Sequence, residues 1–184
     1  GVVQWVTHLG TGTRDNTNGL DPNSQVDAVD LLDYCLGVSV DTSGNVYCAG
    51  HTTSALNDTG GGGDDAFVMK LNSSGVVQWV THLGTGTRDN TNGLDPNSQV
   101  DLVDSSDLCY GVSVDTSGNV YCAGATASSL NDTASGADAF VMKLNSSGVV
   151  QWLTHLGTGT RDNTNGLDPN SQIDAVNGSD YCQG

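Results

Sequence analysis

Apolar and polar residues alternate along four short stretches, and the same four return further down the chain. Residues 36–41, LGVSVD, place Val38 and Val40 on one face of an extended strand. Residues 46–50, VYCAG, do the same for Val46 and Cys48. AFVMKLN (66–72) and VVQWVTHL (76–83) complete the set. Glycine-bearing turns, DTSGN at 41–45 and SSG at 73–75, separate the first pair and the last pair. A Gly/Asn/Asp-rich loop, 51–64, separates the middle pair. Alternation with short glycine-bearing connections predicts a hairpin-linked antiparallel sheet of four strands. The next four strands are expected at 110–115, 120–124, 139–145 and 149–156.

The recurrence is almost literal. Residues 1–27, GVVQWVTHLGTGTRDNTNGLDPNSQVD, return unchanged at 75–101. They return again at 148–174 with only Leu153 and Ile173 in place of Val. Such a period indicates one supersecondary unit stacked in series. The second unit is one residue shorter in the loop between its second and third strands, where insertions and deletions cost least packing. A long polar segment, 84–109 in the middle copy, joins one sheet to the next and carries the same Asp/Asn-rich string each time. We therefore divide the chain into residues 1–35 (an outer strand and its loop), 36–109 (sheet plus loop) and 110–184 (sheet plus loop). The chain starts at Gly1 and stops at Gly184 in mid-unit, as a stretch of a longer array would.

Composition sharpens the all-β reading. All 21 acidic residues are Asp, and Lys and Arg together number 5. Glu and Lys are strong helix formers, so their scarcity argues against helix. Val dominates the apolar set, while Gly, Asn, Asp, Ser and Thr fill the turns. The formal net charge of −16 argues against nucleic acid or an anionic membrane as partner. It also sets stacked units against one another, a repulsion that bound divalent cations would relieve.

The strings VDTSGNVYCAG (40–50 and 114–124) and DAFVMKLNSSG (65–75 and 138–148), each followed by a Trp strand ending Leu-Gly, resemble the bacterial SBBP-type β-propeller repeat. The resemblance implies a blade whose first strand is innermost and whose Trp strand is outermost. Residues 36–83 and 110–157 are then complete blades, and residues 1–10 the outer strand of a preceding one. It further implies a secreted or surface protein of bacteria, and carries no single activity with it. Two departures stand out. The segment between blades is longer here than in the family. A closed propeller also takes about four to eight blades, more than this chain supplies.

Cysteines repeat with the units: Cys35 and Cys48, Cys109 and Cys122, then Cys182. They are read as disulfides, which imply an oxidising, extracellular setting. Two schemes are open. Pairing within units leaves Cys182 over; pairing between units, Cys48–Cys109 and Cys122–Cys182, leaves Cys35. Zinc is disfavoured because no CxxC occurs and His51, near Cys48, is replaced by Ala125 in the second unit.

The acidic segment offers Asp15, Asn16, Asn18, Asp21, Asn23 and Asp27 around a glycine. Its copies offer Asp89, Asn90, Asn92, Asp95, Asn97 and Asp101, then Asp162, Asn163, Asn165, Asp168, Asn170 and Asp174. Clustered Asx oxygens suit calcium, a hard cation that takes about six to eight oxygen ligands. The spacing is not that of an EF-hand, since counting back from Gly19 puts Arg14 at the first ligand position. The competing reading is a set of Asx turns that satisfy their own backbone. Sequons stand at Asn57, Asn72, Asn131, Asn145 and Asn177; Asn57 and Asn131 are the glycosylation candidates, because Asn72 and Asn145 sit in tight turns. His8, His82 and His155 each follow a Trp by three residues, which puts His and Trp on opposite faces of a strand.

No catalytic residue is assigned: nucleophile-elbow, phosphate-loop and HExxH patterns are all missing from the sequence. The expectation is a structural protein rather than an enzyme, an extracellular or cell-surface filament or array built by self-association of near-identical units. Identical interfaces that do not close generate filaments. The alternative is a propeller module that binds glycan or protein on its loops.

Overall fold

The computed structural model describes residues 1–7, 9–10, 25–26, 32–53, 58–59, 64–85, 87–88, 99–101, 106–127, 137–157, 172–173 and 182–183. Every regular element among them is a β-strand. In chain order these are β1 (Leu9–Gly10), β2 (Gln25–Val26), β3 (Asp33–Val40), β4 (Val46–Thr52), β5 (Asp58–Thr59), β6 (Asp65–Leu71) and β7 (Val77–Thr85). There follow β8 (Thr87–Arg88), β9 (Gln99–Asp101), β10 (Asp107–Val114), β11 (Val120–Thr126), β12 (Asp138–Leu144), β13 (Val150–Gly157) and β14 (Gln172–Ile173).

Two sheets dominate. Strands β3, β4, β6 and β7 form one antiparallel blade, and β10, β11, β12 and β13 the other, each in sequence order. The first hairpin turn closes around Asp41. Its Oδ1 accepts from the backbone N–H of Ser43 and Asn45, and its Oδ2 from Asn45 Nδ2 and the Tyr47 hydroxyl. Asp115 makes the same four contacts in the second blade. Gly44 and Gly118 take the left-handed backbone that this turn needs, at φ 79° and 80°.

Two expectations are corrected. The innermost strands begin at Asp33 and Asp107, three residues before the sequence boundaries, so Cys35 and Cys109 lie inside them rather than ahead of them. A β-bulge is the cause: Cys35 pairs with Gly50 but Gly37 with Ala49, leaving Leu36 as an extra residue, and Tyr110 is its counterpart. One inserted residue breaks the period of two and hides the strand upstream of it. The bulge also drives the Tyr34 and Leu108 carbonyls into the space that a side chain at Gly50 or Gly124 would occupy.

The second correction concerns the joining segment, which returns to the sheet instead of only linking blades. β9 pairs in parallel with the end of β7, Leu83 opposite Gln99. β14 joins β13 in the same register, and β2 joins β1. Each blade is therefore a five-stranded mixed sheet. Two or three residues are too short to show alternation, so the pattern could not announce them. The loop between β4 and β6 also touches this segment, with Asp58 opposite Arg88 in the β5–β8 pair.

The blades pack face to face. One face of the first, with Tyr47, Ala49, Val68 and Trp79, merges with Cys122, Phe140, Met142 and Leu144 of the second in a single apolar core. Innermost strands come close where both carry glycine: a Cβ on Gly37 would lie 3.2 Å from the Gly111 Cα. The opposite face of the first blade, with Cys48, Phe67, Met69 and Leu71, packs against Trp5. No helix of the described residues is long and apolar enough to cross a membrane.

Candidate functional site: the junction between blades

The junction is built from the turn between the third and fourth strands of one blade and the Trp strand of its neighbour. Asn72 closes the first of these turns. Its Oδ1 accepts from the N–H of Ser74 and Val76, and its carbonyl from Gly75 N–H. Asn145 repeats the pattern with Ser147, Val149 and Gly148. Gly75 and Gly148 sit at φ 78° and 80°. With its amide oxygen turned inward, the turn leaves the Ser73 and Gly75 carbonyls pointing away as acceptors.

The neighbouring Trp strand takes those acceptors. Trp79 Nε1–H of the first blade donates to the Ser146 carbonyl of the second at 3.2 Å. Thr81 Oγ1–H donates to the Gly148 carbonyl at 2.6 Å. Residues 1–7 repeat both contacts on the first blade: Trp5 Nε1–H to Ser73 O at 3.0 Å, and Thr7 Oγ1–H to Gly75 O at 2.6 Å. The indole lies flat over the glycine. A Cβ at Gly75 would stand 2.6 Å from Trp5 Cδ2, and one at Gly148 2.7 Å from Trp79 Cδ2. Glycine is thus needed twice at one position, for its backbone and for its missing side chain.

Around this contact runs a row of side chains across the sheet. Tyr47 pairs with Lys70, and Lys70 with Trp79, in adjacent strands. Lys70 Nζ lies 5.4 Å from the Tyr47 ring centroid, and the Tyr47 and Trp79 rings are 6.2 Å apart. The second blade repeats the row with Lys143, Tyr121 and Trp152. Burial, with the Asp41 carboxylate beside it, pushes the Tyr47 hydroxyl up to about 12, so it stays a donor. The Asn45 side chain, aided by backbone N–H groups, holds Asp41 below the usual carboxylate range.

The first two strands of the first blade, β3 and β4, carry the likeness to known proteins. Residues 32–57 match the SBBP family, a β-propeller repeat. No curated protein matches the chain. The matched repeat spans β3, β4 and the first cysteine pair, and the second blade carries its core string again at 114–124.

The structure places the sequence-assigned residues unevenly. Disulfides join Cys35 to Cys48 and Cys109 to Cys122, with Cα atoms 5.9 and 6.0 Å apart. Pairing is within units, and Cys182 is left free. The between-unit scheme fails because the bulge turns each first cysteine, on the innermost strand, to the face of the second cysteine on the adjacent strand of its own blade. Candidate ligands Asp15, Asn16, Asn18, Asp21, Asn23, Asp27, Asp89, Asn90, Asn92, Asp95 and Asn97 lie outside the described residues, as do Asp162, Asn163, Asn165, Asp168, Asn170 and Asp174. Asp101 is described only as backbone of β9. Asn57 and Asn131 also lie outside. Among the described residues no group of three or more metal-binding side chains converges.

Sequence reasoning missed the acceptor turns and the two threonines. Trp5 and Trp79 read as packing residues, which they are, but their indole N–H groups also bridge blades. The available signal was that each Ser-Ser-Gly turn lies about one period from the Trp-x-Thr string it receives.

Proposed function

We propose that this chain is a structural repeat protein whose units stack face to face into an extracellular filament or surface array. One observation carries the reading. The face that is buried at the junction in the first blade, Tyr47 at 0% and Trp79 at 6% exposure, is only half-buried in the second, at Tyr121 and Trp152. Near-identical side chains thus form a closed junction at one step and present an open one at the next. A contact between two different faces that does not close on itself propagates.

Two features support an extracellular setting: the disulfide in each blade and a sequence rich in Asp, Asn, Ser and Thr. Calcium held by the acidic segments would lower the repulsion between stacked units. A melt with and without EDTA tests that; an unchanged midpoint sets calcium aside.

The assembly is tested by electron microscopy of the protein at high concentration, with sedimentation velocity alongside. Filaments or open stacks of rising length are the expected outcome. A monodisperse ring with defined affinity for a glycan would replace this reading with a propeller binding module, which the family match favours.

A further inference from the structure

The two blades are near-identical, and where they differ the changes gather at one end. Residues 37–50 and 111–124 are the same, and 65–85 and 138–158 differ only at Val80 against Leu153. In the antiparallel strands and the residues flanking them, the remaining described changes are at Leu32, Tyr34, Leu36, His51, Thr53 and Asp64. The second blade has Ser106, Leu108, Tyr110, Ala125, Ala127 and Ala137 there. Changes without a common role would also fall on the exposed turns at 41–45 and 72–75, which are the same in both blades. These fall instead where β3 begins, β4 ends and β6 begins. Leu32 N–H donates to Thr53 Oγ1 at 2.8 Å, and Thr53 N–H to the Leu32 carbonyl at 2.9 Å. Tyr34 pairs with His51 across the strands, their ring centroids 4.8 Å apart. Asp64 is close enough to act on the charge of His51. Its carbonyl accepts from the Asp107 N–H of the second blade at 2.6 Å. His51 shares its face of β4 with Tyr47 and Ala49, which pack on the second blade. The 44% exposure of Tyr34 is therefore what the neighbouring blade itself leaves open.

We propose that Tyr34, His51 and Asp64 of the first blade form a binding site for an organic cation, a guanidinium or ammonium group. A cation is attracted to the face of an aromatic ring within about 6 Å of its centroid, and Tyr34 offers an exposed ring. Asp64 supplies a carboxylate beside the ring pair, and Asp33 a second negative charge that also acts on His51. The described lysines are committed elsewhere. Lys143 lies over Tyr121 of the second blade. Lys70 lies over Tyr47, five residues along β6 from Asp65 and so about 17 Å away. His51 backs the Tyr34 ring without repelling the ligand. Burial lowers its pKa below 6.5, so the imidazole is neutral near pH 7. The formal −16 of the chain draws cations toward it from solution. The second blade, with Leu108, Ala125 and Ala137, has neither ring nor this carboxylate. Such a cation has two sources, a free amine or the arginine or lysine side chain of a partner protein. The site is independent of the stacking proposed above, because it lies within one chain and needs no second copy.

Calorimetric titration of the 184-residue chain with N-acetylarginine amide tests the site, and the ring-proton NMR signals of Tyr34 and His51 locate it. Saturable binding with shifts at both rings is the expected result. N-acetylcitrulline amide, the uncharged isostere, should bind at least about tenfold more weakly, equivalent to about 1.4 kcal/mol. Tyr34→Leu with His51→Ala, and separately Asp64→Ala, introduce residues with which the second blade already folds. Each variant should weaken binding by at least about fivefold. Equal binding of the two derivatives overturns the cation, and unchanged affinity in both variants overturns the site. Shifts of the same rings by methyl α-glucoside, with none by the arginine derivative, would assign the platform to a sugar and overturn the proposal. The peptide Gly-Ser-Arg-Ser-Gly separates the two sources: tighter binding than the single residue points to a partner's side chain, equal binding to a free cation. None of these outcomes bears on stacking, which microscopy and sedimentation read.

Discussion

Gly148 carries two constraints at once at the junction. Its φ of 80° is one that a residue with a side chain adopts at a cost. A Cβ there would press on both Trp79 Cδ2 and Thr81 Oγ1, at 2.7 and 3.0 Å. Gly148→Ala should therefore destabilise by about 2–4 kcal/mol, strain and crowding together, read as a lowered urea midpoint. Gly118→Ala, whose nearest neighbour would be the Ser146 Cβ at 3.2 Å, should cost only the backbone share. His51 gives a contrasting test. It stacks on Tyr34 at 4.8 Å, and burial lowers its pKa below 6.5 despite nearby Asp64 and Asp33. The unfolded chain then takes up the proton first, so stability is complete above about pH 6.5 and declines as pH falls toward the folded value. His51→Ala copies the second blade's Ala125 and should flatten that slope in thermal melts between about pH 5 and about pH 7.

At the scale of the blade, the four strands were legible because Val, Tyr, Phe and Trp recur at alternate positions between glycine turns. Their inner ends were not. The bulge at Leu36 and Tyr110 shifts the alternation, and the three residues before it lose their phase. The same bulge settled the cysteine pairing, which spacing alone left open. β9 and β14 stayed hidden because their pairing depends on a chain that returns from far along the sequence. Packing assigns the disulfides their weight. Cys109 and Cys122 are fully buried under the first blade, and their bond closes a loop with a sequence separation of 13. Replacing both by Ala should cost about 3 kcal/mol in chemical denaturation, because a loop of this length loses that much restraint in the unfolded chain.

Across the whole molecule, sequence repetition foretold a series of units but not which surfaces join them. The junction depends on backbone carbonyls of Ser73, Gly75, Ser146 and Gly148, which no residue identity reports. Charge would work against the proposed stacking, since each copy would bring a formal −16 to its neighbour. Apolar contact and neutral hydrogen bonds hold the interface, so added salt should strengthen association by screening the repulsion beyond about 10 Å at 0.1 M. Sedimentation at about 0.02 M and about 0.5 M salt reads the sign, and weaker association at high salt would point to a charge-driven contact instead.

The Trp-to-turn hydrogen bonds run one way only: indole from the earlier unit, carbonyl from the later. An assembly made with them is an arrow. One end would present the half-buried tryptophan row of Trp152, the other the carbonyl-bearing turn that receives a tryptophan. The two ends of such an assembly would recruit with different chemistry and grow at different rates, and a reagent that stoppered one would leave the other open.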